Sequence, residues 1–314
     1  MPADLRVSLG RLSLRAPVLA AAGTVGYGLE FRQVRGLDRL GALITKTLTC
    51  QPRDGHPPPR LVEVPSGMLN AVGLQNVGLD AFVLEKLPAL GALGVPVIVS
   101  VLGESSDELA GLCRRLDGHT AIAAIELNLS CPNVGHLSHL MVAQDAVATE
   151  AFVRAARGAT STPLLVKLSP DVTDIVPIAQ AAARAGADAL TLANTYRAMR
   201  LDPATRRSRL GALTGGLSGP AIRPLTLFRV FQVAQAVRCP LIGLGGIVRL
   251  DDALEYFAVG ASAVAVGTAH FADPSASVRL AGELTRYLQR RRLDSVRALI
   301  GQPAEAPSCA SAIG

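Results

Sequence analysis

Aromatic residues make up only 4% of the 314-residue chain, against 49% hydrophobic residues in all. A core built from this composition is aliphatic, and the length suits one large domain of barrel size rather than two small ones. The same scarcity leaves the net charge of +6 without the aromatic interleaving that marks a nucleic-acid surface. The charge is carried by arginine, most densely from Arg279 to Arg297, and reads as a solvated helical face. No nucleic-acid partner is expected. Cysteine is sparse: Cys50, Cys113, Cys131, Cys239 and Cys309 are odd in number and contain no CxxC pair. That excludes a disulfide framework and gives no zinc or iron–sulfur ligand set, so no metal site and a reducing cytoplasm are expected. No apolar run is long enough for a membrane span. The longest, Leu87 to Gly103, is broken by Pro88 and Pro96 and reads as a helix end, a turn and a strand. No basic segment followed by an apolar stretch opens the chain, so no signal peptide is read.

What the chain does have is alternation. After a small hairpin (Leu5 to Leu9, Leu12 to Leu14), strand-like apolar runs occur at Val18 to Ala22, Ala42 to Leu48, Val95 to Val101, Ile122 to Leu129, Pro163 to Leu168, Ala189 to Ala193, Pro240 to Leu244 and Ser262 to Val266. Amphipathic segments of helical length come after them, around 29–37, 79–91, 105–117, 145–159, 174–185, 221–237, 250–259 and 275–291. Eight strand–helix units in an α/β chain predict a (β/α)8 TIM barrel. The competing open doubly wound sheet lacks its fingerprint, because Gly23, Gly26 and Gly28 do not have GxGxxG spacing. Two connections, Thr49 to Gly78 and Thr195 to Gly216, are long enough to be functional or disordered loops. They come after the second and sixth runs, at the catalytic end. Residues 1–301 are expected to form one domain and 302–314 a disordered tail, with Cys309 in it.

Barrel active sites are built from the residues at the C-terminal end of each strand. In the stretch IAAIELNLSCPNV, Glu126, Asn128 and Ser130 share one face by period-two alternation, and Cys131 then arrives before a proline. Lysine occurs only at Lys46, Lys86 and Lys167, and two of the three stand within apolar runs, where a compact ammonium does work a guanidinium cannot. The inventory at the strand ends is amide, ammonium and thiol without paired carboxylates, which argues against glycoside hydrolysis and against a two-metal site. GLGGI and VGTA, after the seventh and eighth runs, stand where barrels commonly bind phosphate and together favour a phosphorylated cofactor.

KTLTCQPRDGHPPPR, GMLNAVGLQNVG, NLSCPNV, VKLSP, ANT, TGGLSGPAIRP, GLGGI and GASAVAVGTAHF occur in this order. Together they resemble the class 1 dihydroorotate dehydrogenases, specifically the 1B catalytic subunit, over residues from about 17 to 272. The resemblance implies non-covalent FMN and oxidation of (S)-dihydroorotate to orotate in pyrimidine synthesis. Cys131 would then be the base that removes the C5 proton while the C6 hydride passes to flavin N5. Lys46, Asn70, Ala71, Val72, Gly73, Leu74, Asn128, Asn133, Asn194 and Thr195 would bind the substrate. Ala22, Gly23, Lys46, Thr47, Ser100, Asn128, Lys167, Ala193, Gly219, Gly245, Gly246, Gly267 and Thr268 would bind FMN, with Lys167 offsetting negative charge on the reduced flavin. The partners implied are a second copy of the chain and an electron-transfer subunit with FAD and a 2Fe–2S cluster, in a heterotetramer.

The chain also departs from that pattern. Where the family carries a glycine-rich lid after CPNV, this chain reads GHLSHLMVAQ, with His136 and His139. The family asparagine on the third strand is Ser100, ASG is AAG at Ala22, and a lysine before TGGLSGP is Leu213. Two alternatives stand beside the main reading: a dihydropyrimidine dehydrogenase-like subunit, and a catalytically silent flavin-binding homologue.

Overall fold

A computed structural model describes residues 3–130 and 141–301 of the chain. Cys131, Asn133, His136, His139 and the 302–314 tail lie outside the described residues. The chain enters through the expected hairpin, β1 (Val7–Leu9) and β2 (Leu12–Leu14), whose alternation buries Val7, Leu9, Leu12 and Leu14 against the core. β3 (Val18–Ala20) and β4 (Ala42–Ile44) come next. The helix expected over 29–37 does not form. Two 3-10 turns, Leu29–Phe31 and Leu37–Arg39, take its place, because Gly28 and Gly36 sit in the left-handed region and leave too short a run between them to sustain an isolated helix.

The connection after β4 is neither disordered nor a plain loop. It contains β5 (Leu61–Val64) and β6 (Gly67–Asn70), an antiparallel hairpin. The helix expected over 79–91 comes in pieces, α1 (Gly78–Ala81), a π-turn at Phe82–Lys86 and α2 (Leu87–Leu90). Pro88 explains the interruption: it has no N–H to give and its ring crowds the carbonyl one turn earlier. The apolar run through Gly103 ends in a strand, as expected, and no helix among the described residues is long and apolar enough to cross a membrane.

From there strand and helix alternate: β7 (Val97–Val101), α3 (Ser106–Leu116), β8 (Ile122–Asn128), α4 (Ala146–Ala159), β9 (Leu164–Lys167), α5 (Val176–Arg184) and β10 (Ala189–Leu192). The second long connection supplies β11 (Tyr196–Ala198) and β12 (Gly215–Ser218). The chain ends with α6 (Arg223–Ala236), β13 (Leu241–Leu244), α7 (Leu250–Ala258), β14 (Ala263–Val266) and α8 (Ala276–Arg291). Strands β10-β13-β14-β3-β4-β7-β8-β9 close into a parallel barrel. All eight expected runs are in it, and the protein is a (β/α)8 TIM barrel. The strands are buried along their whole length, apart from one partly exposed position in β8, because helices cover the outside and aliphatic side chains fill the inside.

The four extra strands pair in the order β11-β12-β6-β5, so the two long connections form one antiparallel sheet over the C-terminal end of the barrel. Gly216 of β12 faces Asn70 of β6 in register, and Leu69, Ala71 and Leu210 give the sheet a small apolar core of its own.

At the opposite end, Asp188 ties the hairpin to the barrel. Its carboxylate accepts from Arg11 Nε at 2.8 Å, from a second Arg11 nitrogen at 2.8 Å, and from the Leu164 N–H at 2.8 Å, with Arg157 at 3.4 Å. Burial would raise its pKa, but the Arg11 guanidinium and the backbone donors outweigh burial and hold it below the ordinary carboxylate value. Asp188→Ala leaves the Leu164 N–H without its acceptor and takes the carboxylate from Arg11 and Arg157. We expect a loss of about 3 kcal/mol at neutral pH, read by urea denaturation. Because the folded pKa is depressed, the wild-type advantage is present at neutral pH and is lost as the pH falls through the folded value.

Candidate active site

Strand ends that point into a cap of antiparallel sheet enclose a cavity of about 460 Å3, within the range of small-molecule and cofactor sites. It gathers residues from nearly every strand end: Ala22 and Gly23 after β3; Lys46 and Thr47 after β4; Asn70, Ala71, Val72, Gly73 and Leu74 from β6 onward; Asn128 and Ser130; Lys167; Ala193, Asn194 and Thr195; Gly219; Gly245 and Gly246; Gly267 and Thr268. Every described residue named above for substrate or cofactor borders this one space, with one exception. Ser100 is fully buried behind Thr47, and the two hydroxyls lie 2.9 Å apart. A serine is too short to reach the cavity from that position, so it supports Thr47 instead of touching a ligand.

The amides are held before any ligand arrives. Asn128 Nδ2 donates to Thr47 Oγ1 at 3.1 Å, Ser130 Oγ donates to Asn128 Oδ1 at 3.0 Å, and Asn194 Nδ2 donates to Ser130 Oγ at 2.7 Å. Asn70 Nδ2 donates to the Gly216 carbonyl at 3.2 Å, which fastens it across the capping sheet. In a buried network each bond fixes the next rotamer, and a misplaced amide would leave unpaired polar groups.

Lys167 ends β9, 6% exposed, with Asn128 and Thr191 as its neighbours in register on β8 and β10. Below it stands Glu126, fully buried, whose Oε2 accepts from Thr191 Oγ1 at 3.2 Å. Burial pushes the Glu126 carboxyl up, against the opposing pull of the Lys167 ammonium and of the Thr191 and Ser100 hydroxyls.

The glycine turns have room where a ligand needs it. Gly23 has φ +85 and no heavy atom within 4 Å of where a Cβ would stand, so a side chain there would project into the cavity. Gly246, at φ +68, would bring a Cβ to 2.7 Å from Arg223 Cβ and 2.8 Å from the Gly219 carbonyl. Only glycine lets the β13 turn pack against the start of α6. Such turns, next to helix N-termini at the last two strands of a barrel, fit a phosphate.

The sequence reading missed Thr24, His56, Met68, Asp171, Arg197, Ser218 and Phe271, which also border the cavity. His56, Met68 and Arg197 lie on the two long connections, where nothing local indicates which side faces inward. It also missed His270, although the residue stands within the quoted GTAHF. Its ring is 3% exposed, 3.3 Å from Thr24 Oγ1 and 3.0 Å from Ser277 Oγ, with its edge against Phe31. Thr24 already donates to the Ala21 carbonyl, so Nδ1–H donates to Thr24 and Nε2 accepts from Ser277, a neutral ring.

The sequence matches the dihydroorotate dehydrogenase family over residues 4–288. The chain belongs to that family. Three relatives carry the name "Dihydroorotate dehydrogenase B (NAD(+)), catalytic subunit". The protein of Geobacter sulfurreducens is 50% identical over 298 residues, 95% of this chain and 97% of its own. That of Citrifermentans bemidjiense is 49% identical over the same span and the same shares, and that of Pelobacter propionicus is 49% identical over 301 residues, 96% of this chain and 99% of its own. Within the dihydroorotate dehydrogenases the chain is of the 1B class.

Neutral His270 has a consequence that can be measured. Burial, against weaker pulls from the Gly267 carbonyl and Asp273, lowers its pKa from 6.5 to about 4. Between those values the unfolded chain binds a proton that the folded one does not, so stability falls as the pH drops through that window. We expect wild type to lose about 3 kcal/mol relative to His270→Asn on acidification from neutral to below about pH 4. Thermal unfolding of both proteins across that range measures the difference.

Proposed function

We propose that the chain oxidises (S)-dihydroorotate to orotate in pyrimidine biosynthesis, as the catalytic subunit of a class 1B dihydroorotate dehydrogenase, with a flavin, specifically FMN, held non-covalently in the cavity. The observation that carries this reading is the union in one enclosed space of three asparagine amides, two lysines and the glycine turns after β13 and β14. When bound, the flavin supplies the two-electron acceptor for the hydrogen leaving C6 of the substrate.

The rest is the work of the chain's own residues. Orotate is planar and presents amide N–H and C=O groups beside a carboxylate, so its recognition calls for fixed donors and acceptors. Asn70, Asn128 and Asn194 offer both on one side chain, already oriented by their neighbours. Asn133 and Thr195 join them in the role carried over from the family, and Lys46 serves both substrate and cofactor. Lys167 would offset negative charge on the reduced flavin. Ala22, Gly23, Thr47, Ala193, Gly219, Gly245, Gly246, Gly267 and Thr268 would hold the cofactor, the glycine turns after β13 and β14 suiting its phosphate. Cys131 comes directly after Ser130, whose hydroxyl is committed to Asn128. Its Sγ, as thiolate, takes the proton from C5. The enclosing sheet limits water around the reacting atoms.

The chain's GxGxxG-free sequence and scattered cysteines support a separate electron-transfer subunit, carrying FAD and a 2Fe–2S cluster, as the route to NAD. The assembly proposed is a heterotetramer around a homodimer, in the cytoplasm. Residues 1–301 act as one domain.

The reading is tested by adding dihydroorotate anaerobically to purified protein reconstituted with FMN. Bleaching of the flavin is the expected result. A yellow protein that never bleaches is the silent homologue, and one that bleaches with dihydrouracil instead is the dihydropyrimidine dehydrogenase-like enzyme. Cys131→Ser should keep FMN and bind orotate, yet bleach at least about a hundredfold more slowly near neutral pH, recovering in part as the pH rises. Stopped-flow absorbance reads this rate. A variant that bleaches at the wild-type rate assigns the proton to another group.

A further inference from the structure

Glu126 is the buried glutamate among the described residues that no step above uses. It stands inside the barrel one layer beneath the cavity floor, 0% exposed. Three neighbouring strands face it: β7 with the Ser100 hydroxyl, its partner in register; β9 with the Lys167 ammonium; and β10 with the Thr191 hydroxyl. Thr191 donates to Oε2, while Oε1 has no hydrogen-bond partner among the described residues. No ion pair within 4.0 Å joins Glu126 to Lys167 among those residues, although the ammonium is close enough for its charge to be felt. A carboxylate in this position would hold a full charge in an aliphatic interior with one of its oxygens bare. The neutral acid carries far less of that desolvation cost.

We propose that Glu126 is a positioning residue that stands beneath Lys167 as a neutral acid, filling the barrel without cancelling the ammonium, so that the whole positive charge faces the ligand above. The part that concerns the ligand rests on the flavin reading of the cavity. A neutral Glu126 braces Thr191, and through it β10, while Lys167 keeps its charge for the negative charge that a reduced flavin carries. An ionised Glu126 would divide that charge between floor and ligand. The burial that raises the carboxyl's pKa agrees with the geometry.

The test separates the two halves. In apo-protein carrying isotope-labelled glutamate, infrared spectra should show a protonated carboxyl near neutral pH that Glu126→Gln lacks. If E126Q does not fold, the labelled wild-type spectrum decides alone, because the other described glutamates are exposed or half-exposed. The folded acid holds a proton that the unfolded chain releases, so wild-type stability falls as the pH rises from the ordinary carboxyl range, and the Tm of apo E126Q should pull steadily ahead of wild type as the pH rises above that range. Glutamates that are all ionised near pH 6, or Tm curves that run parallel, overturn the neutral acid. For the ligand half, the ratio of affinities for reduced over oxidised FMN should fall at least about tenfold in wild type relative to E126Q as Glu126 ionises. A ratio that follows that of E126Q at every pH overturns that half. Apo results as expected in a protein that binds no FMN overturn the flavin reading and leave the neutral acid standing.

Discussion

A row of polar side chains set into an aliphatic barrel governs what the top of this molecule can be. Ser100 meets Thr47, Thr47 accepts from Asn128, Asn128 accepts from Ser130, and Ser130 accepts from Asn194. These residues belong to β7, β8 and the segments just after β4, β8 and β10, so the chain of bonds stitches neighbouring strand ends together at the level where apolar packing stops. Leaving one amide unpaired there costs about 1–3 kcal/mol, a large share of the stability of a folded domain. The side chains therefore have little freedom to rotate, and a ligand meets amides that are already aimed. Preorganisation of this kind comes from the barrel closing correctly, not from the ligand.

The barrel itself was legible because its strands are buried on both faces. Runs such as AVAV at β14 and VIVSV at β7 are continuous apolar segments, and nothing outside them decides that they are strands. The site was legible where a strand runs straight into chemistry, as β8 does into Asn128 and Ser130, and β9 into Lys167. The cap was not. β5 and β6 are four residues each and largely half exposed, and β6 pairs with β12 from a connection well over a hundred residues further on. Such pairing is decided by tertiary contact. One local signal was there to be read: LVEV and GMLN flank Pro65 and Ser66, a two-residue turn with Ser66 at φ 57. Ser100 differs from the other named residues for another reason. It is named through the family asparagine at its position, and a family position does not tell whether a shorter side chain spans the distance to the cavity from there.

The division of labour between arginine and lysine stems from the same burial. Arginines make the ion pairs that hold elements together at the periphery, Arg11 with Asp188, Arg223 with Asp252 and Glu255, and Arg279 with Asp273 and Glu283. A planar fork suits those carboxylates. Inside the barrel mouth the cations are lysines: Lys46 and Lys167 both border the cavity.

That geometry also explains how the chain tolerates its departures from the family pattern. Leu213 is 67% exposed and does not border the cavity, so a lysine lost there removes no contact from within it. Ala22 does border it, but contributes only a methyl group, which takes no part in the hydrogen-bonded row. Ser100 stands within the row, and there the shorter side chain changes the route rather than the outcome. Its hydroxyl bonds Thr47, Thr47 both borders the cavity and accepts from Asn128, and the position an asparagine would have reached directly is served through one intervening hydroxyl. The three substitutions thus spare Asn70, Asn128 and Asn194, the amides that border the cavity and are proposed above to meet the substrate.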